Sequence, residues 1–368
     1  MLESLSNKKI LLIYHPWRTF RGSLHEQLVN GLVALGLDVT YLDIENPPKF
    51  KNNYLPDKLR NIFERIVRKN KQYYLIAEKN HYNRFFYNKL FELKKKGKRY
   101  DYVLIIKPEE YSSKLVKLAS EMGNTTVGYI WDGLRLFFKK SLVKSIKYLD
   151  NVYSFDVKDI KNHPDLNMSF CTNYYVPDTI DLVPYDSRKI DVFYIGALAG
   201  TLPEQRRDTK IENIAKYLDG NVELNIFVSQ SFLEGDNNLV KNPKVQYITS
   251  PISIEETLQK TQNSKIVIDI CKKHHIGLSF RFFECMLYET KMITNNTDVI
   301  NYDFYHPDNI LVVDFDNIDI YAEDIKAFQS KPYHKLSKQI TQKYALDNWI
   351  KYLFKEQPYE EIKHLIKR

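Results

Sequence analysis

Short apolar runs alternate with helical patterns along most of the chain, and that alternation carries the structural signal. Residues 9–14, Lys-Ile-Leu-Leu-Ile-Tyr, form the first run, apolar throughout its centre as a buried parallel strand requires. After a polar, glycine-containing stretch at 18–22, Leu24, Leu28, Leu32 and Leu35 share one side of a helix that Gly36 ends. Residues 39–42 supply a second strand, completing a strand, covering helix and parallel strand. Helical patterns over 57–98 include Leu59, Ile62, Ile66, Phe85, Phe86, Leu90 and Leu93. Three further strands fall at 101–106, 126–131 and 152–155, with a helix at 113–122 between the first two.

Residues 177–187 contain two prolines and three aspartates, which disfavour any continuous element and mark a linker. Beyond it the alternation restarts, with strands at 191–195, 222–228, 244–248, 265–270, 291–294 and 309–313 and helices at 210–218, 254–261, 280–288 and 322–328. The last pattern, 337–353, reads as one helix able to cross back over the domain interface. The expected fold is α/β, with Rossmann-like domains at 1–180 and 187–336 and a helical segment at 337–368. Such domains present loops and helix amino termini to a cleft at the carboxyl ends of their strands, where a nucleotide and a second substrate can meet.

Composition narrows this picture. The 368 residues are 43% hydrophobic and 27% charged, which excludes disorder as the main state. The opening stretch reaches a charged pair before an apolar run too short for export or membrane crossing. Cys171, Cys271 and Cys285 form neither a disulfide ladder nor a metal-binding pair, so the expectation is a cytoplasmic chain without a metal site. The net charge of +8 is unevenly spread. Residues 1–150 hold 28 basic and 15 acidic residues, the remainder 26 and 31. Most of the excess lies in 51–100, with 15 basic and 4 acidic residues among many aromatics. That face could serve solvation, an anionic membrane surface, an anionic substrate or nucleic acid. No nucleic-acid signature accompanies it. Tyr73, Tyr74, Phe85, Phe86 and Tyr87 are candidates for packing or for contact with a lipid-linked acceptor.

Candidate chemistry gathers at predicted strand ends. Gly196 follows the 191–195 strand, with Arg206 and Arg207 downstream; glycine exposes backbone amides to phosphate, and an arginine fork fits its oxygens. Between Asp269 and Glu284, a polar loop separates a strand from a helix. Lys272, His275, Gly277, Leu278 and Ser279 could surround a diphosphate there, Glu284 could accept two ribose hydroxyls, and Arg281 could neutralise a phosphate or hold Glu284. A solvated loop with a structural Arg281–Glu284 pair accounts for the same residues. In the first domain, His15 and Asp132 end strands and are the base candidates. Arg18, Arg21, Lys107 and Glu109 are candidates for acceptor binding.

The segment 264–314, with Gly277-Leu278-Ser279, Arg281, Glu284 and Lys291-Met-Ile-Thr-Asn-Asn296, resembles the donor-binding region of bacterial nucleotide-sugar glycosyltransferases of the GT-B architecture, group 1 or CgeB-like. Tyr153-Ser-Phe-Asp156, Tyr194-Ile-Gly196 and Trp131-Asp132-Gly133 share in the resemblance. It implies capsule or lipopolysaccharide synthesis, a nucleoside diphosphate sugar as donor without a separate cofactor, and a glycan or lipid-linked glycan as acceptor. Enzyme placement would be at the inner face of the membrane, as a monomer or weak homodimer. It also implies that Glu284 contacts the donor ribose and that 277–279 approach the diphosphate. The paired glutamates of retaining group 1 enzymes are absent, since Ile276 and Met292 occupy the positions eight residues either side of Glu284. Stereochemistry is therefore unassigned. An epimerase, a hydrolase and a noncatalytic nucleotide- or glycan-binding protein are the alternatives.

Overall fold

The computed structural model describes residues 5–14, 24–42, 50, 55–69, 72–134, 139–177, 181–199, 206–235, 239–271 and 276–364. The first domain contains β1 (Lys9–Ile13), α1 (Leu24–Ala34), β2 (Asp38–Tyr41), α2 (Leu55–Ile66), α3 (Tyr73–Lys95), β3 (Tyr100–Ile106), α4 (Ser113–Ser120), β4 (Gly123–Ile130), α5 (Lys139–Ser145), β5 (Asn151–Ser154), α6 (Val157–Asn162) and β6 (Ser169–Phe170). Its strands form one parallel sheet in the order β2-β1-β3-β4-β5-β6. The apolar run of β1 explains its central place. Ile10 and Leu12 face the cluster of Leu28 and Leu32 on α1, whereas Leu11 and Ile13 face Phe86 and Leu90 on α3 and Leu115 on α4. Each such side chain, fully removed from water, contributes about 1.5–3 kcal/mol relative to an exposed one.

The second domain repeats the plan with β7 (Ile190–Ala197), α7 (Arg207–Ala215), β8 (Val222–Phe227), α8 (Gln230–Leu233), β9 (Val245–Ile248), α9 (Ile254–Gln262), β10 (Ser264–Asp269), α10 (Phe280–Leu287), β11 (Lys291–Thr294), β12 (Ile310–Val312) and α11 (Ala322–Ser330). The parallel order is β12-β11-β10-β7-β8-β9. In both sheets the strand order reverses beside the first strand, between β1 and β3 and between β7 and β10. Such reversal points open crevices at the carboxyl edge.

The single helix expected over 337–353 is two, α12 (Lys338–Lys343) and α13 (Leu346–Phe354). A tertiary contact overrides the local pattern. The Tyr175 amide donates to the Tyr344 carbonyl at 3.1 Å, and the Leu346 amide donates to the Tyr175 carbonyl at 2.9 Å, drawing Ala345 into an extended bridge. From there α13 packs on the first domain. Trp349 lies edge-on to Tyr129 and donates its indole N–H to the Thr172 carbonyl at 2.8 Å. One apolar cluster consequently runs from Ile10 and Trp131 in the first domain to Phe193 and Phe283 in the second. Among the described residues, no helix is long and apolar enough to cross a membrane.

Candidate functional site

In the second domain the carboxyl end of β10 delivers Asp269, which is buried. Its carboxylate accepts from the Ser279 hydroxyl at 3.0 Å and from the Arg281 guanidinium at 3.3 Å. Arg281 also donates to the Ile195 carbonyl at 2.9 Å and to that of Ile268 at 3.4 Å, spanning β7 and β10 at the sheet's reversal point. Arg281 is therefore tied to Asp269 rather than hydrogen-bonded to Glu284. The latter stands one turn further along α10, and burial pushes its carboxyl up to about 6, with Arg281 opposing the rise and Asp269 adding to it.

Adjacent arginines part company at the start of α7. Arg206, expected at a phosphate, is buried and forms a two-pronged pair with Asp208, including an Nε to Oδ1 bond of 3.0 Å. Its charge is neutralised inside the protein. Arg207 instead reaches the cleft edge, 3.4 Å from the carbonyls of Ala197 and Ile270, at the same reversal point as Arg281. Gly196 lies within β7, where a Cβ would fall 2.4 Å from the Tyr194 hydroxyl. That close approach is a packing reason for the glycine.

Loop 276–279 meets the first domain directly. The Ile276 amide donates to Asp156 at 3.2 Å, and the Leu278 carbonyl accepts from the Asn173 amide at 3.0 Å. Gly277 is wedged against Phe155, since a Cβ there would lie 2.6 Å from the ring and 2.9 Å from the Phe155 carbonyl. Two asparagines after β11 secure the flanks: the Cys271 amide donates to Asn295 at 2.7 Å, and Asn296 donates to the Ile276 carbonyl at 3.1 Å. Asp156, Asn295 and Asn296 fall in segments that carry the resemblance, whereas Asn173 had no sequence signal, its partner Leu278 being remote in the chain.

On the facing edge, Lys107 follows β3 and Asp132 follows β4, and their side chains meet at 3.3 Å. Lys107 adopts a left-handed backbone (φ 55°, ψ 58°), unusual for a residue with a Cβ and the kind of local strain that concentrates at functional sites. Next to Asp132, Trp131 packs edge-on against Phe280 with ring centroids 5.5 Å apart. This contact sets the Lys107–Asp132 pair across from the amino terminus of α10. Glu109 lies deeper. It is 1% exposed, and the adjacent α3 donates Lys79 Nζ to its carbonyl at 3.0 Å. Burial lowers Lys79 to about 8 against the opposing pull of Glu109 and Glu110. Lys79 thus supports the main chain of the β3 turn, with the Glu109 side chain buried beside it. Phe86 is likewise core, while Phe85 and Tyr87 pack against the same cluster.

Between the domains lies a cavity of about 550 Å³, bordered by Asn30 and Gly31 of α1, Gln259 of α9, Glu284 and Leu287 of α10, and Tyr174. That volume is in the range of small-molecule sites. Among the expected site residues, His15, Arg18, Arg21, Lys272 and His275 lie outside the described residues.

No family model matches the sequence, and no curated protein sequence matches it. Solved structures do share its fold. An α-glucosyltransferase in complex with UDP-glucose and DNA containing an abasic site is 12% identical, over 96% of this chain and 98% of that one, with a TM-score of 0.52. A putative UDP-N-acetylglucosamine 2-epimerase from Listeria monocytogenes is 11% identical over 97% and 100%, with a TM-score of 0.50. The N-terminal domain of trehalose-6-phosphate phosphatase from Candida albicans is 11% identical over 93% and 95%, at 0.52. At such identities the likeness speaks to fold alone. With its two six-stranded parallel sheets, the chain has the GT-B architecture, two Rossmann-like domains facing an interdomain cleft.

Proposed function

We propose that the protein is a glycosyltransferase that moves a sugar from a nucleoside diphosphate sugar to a hydroxyl of a bacterial surface glycan or its lipid-linked precursor. The observation that carries this reading is the opposition, through Trp131 and Phe280, of the Lys107–Asp132 pair to loop 276–279 and α10. Anionic donor groups suit the second-domain edge, where the positive end of α10 and the Arg207 fork supply stabilisation for a departing diphosphate. Glu284, on the cavity wall, would accept from the ribose hydroxyls.

In the reaction, an acceptor hydroxyl oxygen forms a bond to the anomeric carbon, and its proton passes to the Asp132 carboxylate. The bond from that carbon to the diphosphate oxygen breaks, and the nucleoside diphosphate leaves with the electron pair. Lys107 orients Asp132 for this role. Direct attack of this kind inverts the anomeric centre.

A second reading, epimerisation of the nucleotide sugar, draws support from the putative 2-epimerase that shares the fold. A mass-resolved screen of nucleotide sugars with and without acceptors separates the two. Release of nucleoside diphosphate coupled to a glycosyl mass increase on an acceptor is the expected result. An epimerised nucleotide sugar with no modified acceptor would overturn the transferase reading in favour of the second.

A further inference from the structure

Helix α2 is mounted inside out. Leu59, Ile62, Phe63, Ile66 and the following Val67 recur at the spacing of a single helical stripe. A surface helix ordinarily turns such a stripe to the core. Here all five side chains are between 50% and 73% exposed, whereas Glu64, on the opposite side, is 7% exposed. A recess of about 490 Å³ lies between α2 and α3, bordered by Arg60, Glu64, Tyr73, Ile76, His81 and Arg84. The helix therefore offers water its apolar side, with Lys58, Arg60, Arg65, Arg68 and Lys69 exposed around it, and turns Glu64 toward its neighbour. A contiguous exposed patch of this kind marks a binding surface.

Charge identifies the occupant. Residues 55–69 carry Lys58, Arg60, Arg65, Arg68 and Lys69 against Asp57 and Glu64, and the whole 51–100 segment has 15 basic to 4 acidic residues. A second copy docked on the stripe would oppose like charges. An anionic lipid surface complements them, and basic residues flanking an exposed Leu, Ile and Phe face are the pattern of helices that lie in a membrane interface. Arg60 and Arg84, at the recess, offer guanidinium groups to headgroup phosphates.

We propose that α2 docks the protein on an anionic bilayer, with Leu59, Ile62, Phe63, Ile66 and Val67 entering the headgroup boundary. Its position gives the docking a direction. Lys79 and Asn83 of α3 bond the carbonyls of Glu109 and Glu110, just past the carboxyl end of β3. Residues 73–78 thus extend about one and a half turns beyond that edge, carrying α2 to the cleft side. Delivery of a lipid-borne acceptor to the cleft rests on the transferase reading; the docking itself does not.

The test is sedimentation of the full chain with vesicles of phosphatidylcholine alone and of phosphatidylcholine with an equal part of phosphatidylglycerol, at low and moderate salt. The unaltered protein should bind the anionic vesicles, less so as salt rises, and leave the neutral ones. Ile62→Glu with Ile66→Glu, and separately Lys58→Glu with Lys69→Glu, should each weaken that binding at least about tenfold. Both pairs are exposed, and circular dichroism checks that the fold is kept. Absence of anionic-vesicle binding by the unaltered chain would overturn the proposal, as would equal binding by the isoleucine variant. Loss, in that variant, of a dimer formed without vesicles would assign the stripe to a second copy instead. UDP titration of the same proteins reads the cleft separately: vesicle binding without nucleotide binding would keep the docking and count against the transferase reading.

Discussion

The two cleft edges share a parallel-sheet plan but hold their charges in opposite ways. Along the second domain, polar groups are committed within the protein: Arg206 to Asp208, Ser279 and Arg281 to Asp269, and Arg281 again to the Ile195 carbonyl. Along the first, the Asp132 side chain keeps 46% of its exposure while touching Lys107. One edge is a fixed frame, and the other presents an accessible carboxylate. Residue type alone does not separate the two; orientation does.

The sharpest way to break this comparison is at the accessible carboxylate. Asp132→Asn should lower sugar transfer by about 10²- to 10⁴-fold while leaving UDP affinity unchanged, measured by steady-state kinetics and calorimetry. Next comes the fixed frame. Arg206→Ala leaves the fully buried Asp208 without its counter-ion, with the Tyr247 hydroxyl and the Thr209 amide still donating to it, and should cost about 3 kcal/mol in denaturant unfolding. The same change at Arg207 should cost under about 0.5 kcal/mol and weaken UDP instead. Equal destabilisation by both would erase the distinction between them.

Glu284 tests the boundary between frame and ligand. Its carboxyl titrates near 6 rather than its ordinary 4.5, so the folded state holds the proton more tightly than the unfolded chain. Stability from this group is therefore lost as pH rises from about 4.5 to about 6, and the cost persists above. Glu284→Gln should accordingly stabilise the free protein at pH 7 by roughly 1–2 kcal/mol, with no gain at pH 4. UDP affinity should fall severalfold and lose its dependence on pH near 6. A smaller effect than that of Glu284 is expected at Lys107. Replacement by glycine relieves the left-handed backbone and should shift stability by less than about 1 kcal/mol. Transfer should nonetheless slow, because Asp132 loses its orienting partner.

The repeated strands and covering helices were legible because buried parallel strands must be short and apolar, as in β1 and β10. The break between α12 and α13 was not, since Tyr175, far away in sequence, supplies the hydrogen bonds that end the helix there. Neither spacing nor composition could assign Arg206 and Arg207 to different environments. Adjacent residues at a helix start point in different directions, and only the packed partner Asp208 reveals which one turns inward. The burial of Glu109 was hidden for a related reason: the turn after β3 lies beneath α3, whose placement follows from tertiary packing. The stripe of α2 was visible as a helical pattern, but nothing in its period tells which side faces the protein.

The bridge between Tyr175 and Ala345 bears on motion. The chain leaves the first domain and later comes back to it at neighbouring points, laced together by two backbone hydrogen bonds. A link at one point would let the halves swivel in any direction. Two crossings side by side remove that freedom about every axis but the line through them, and the bonds from loop 276–279 to Asp156 and Asn173 fasten the halves at a further point.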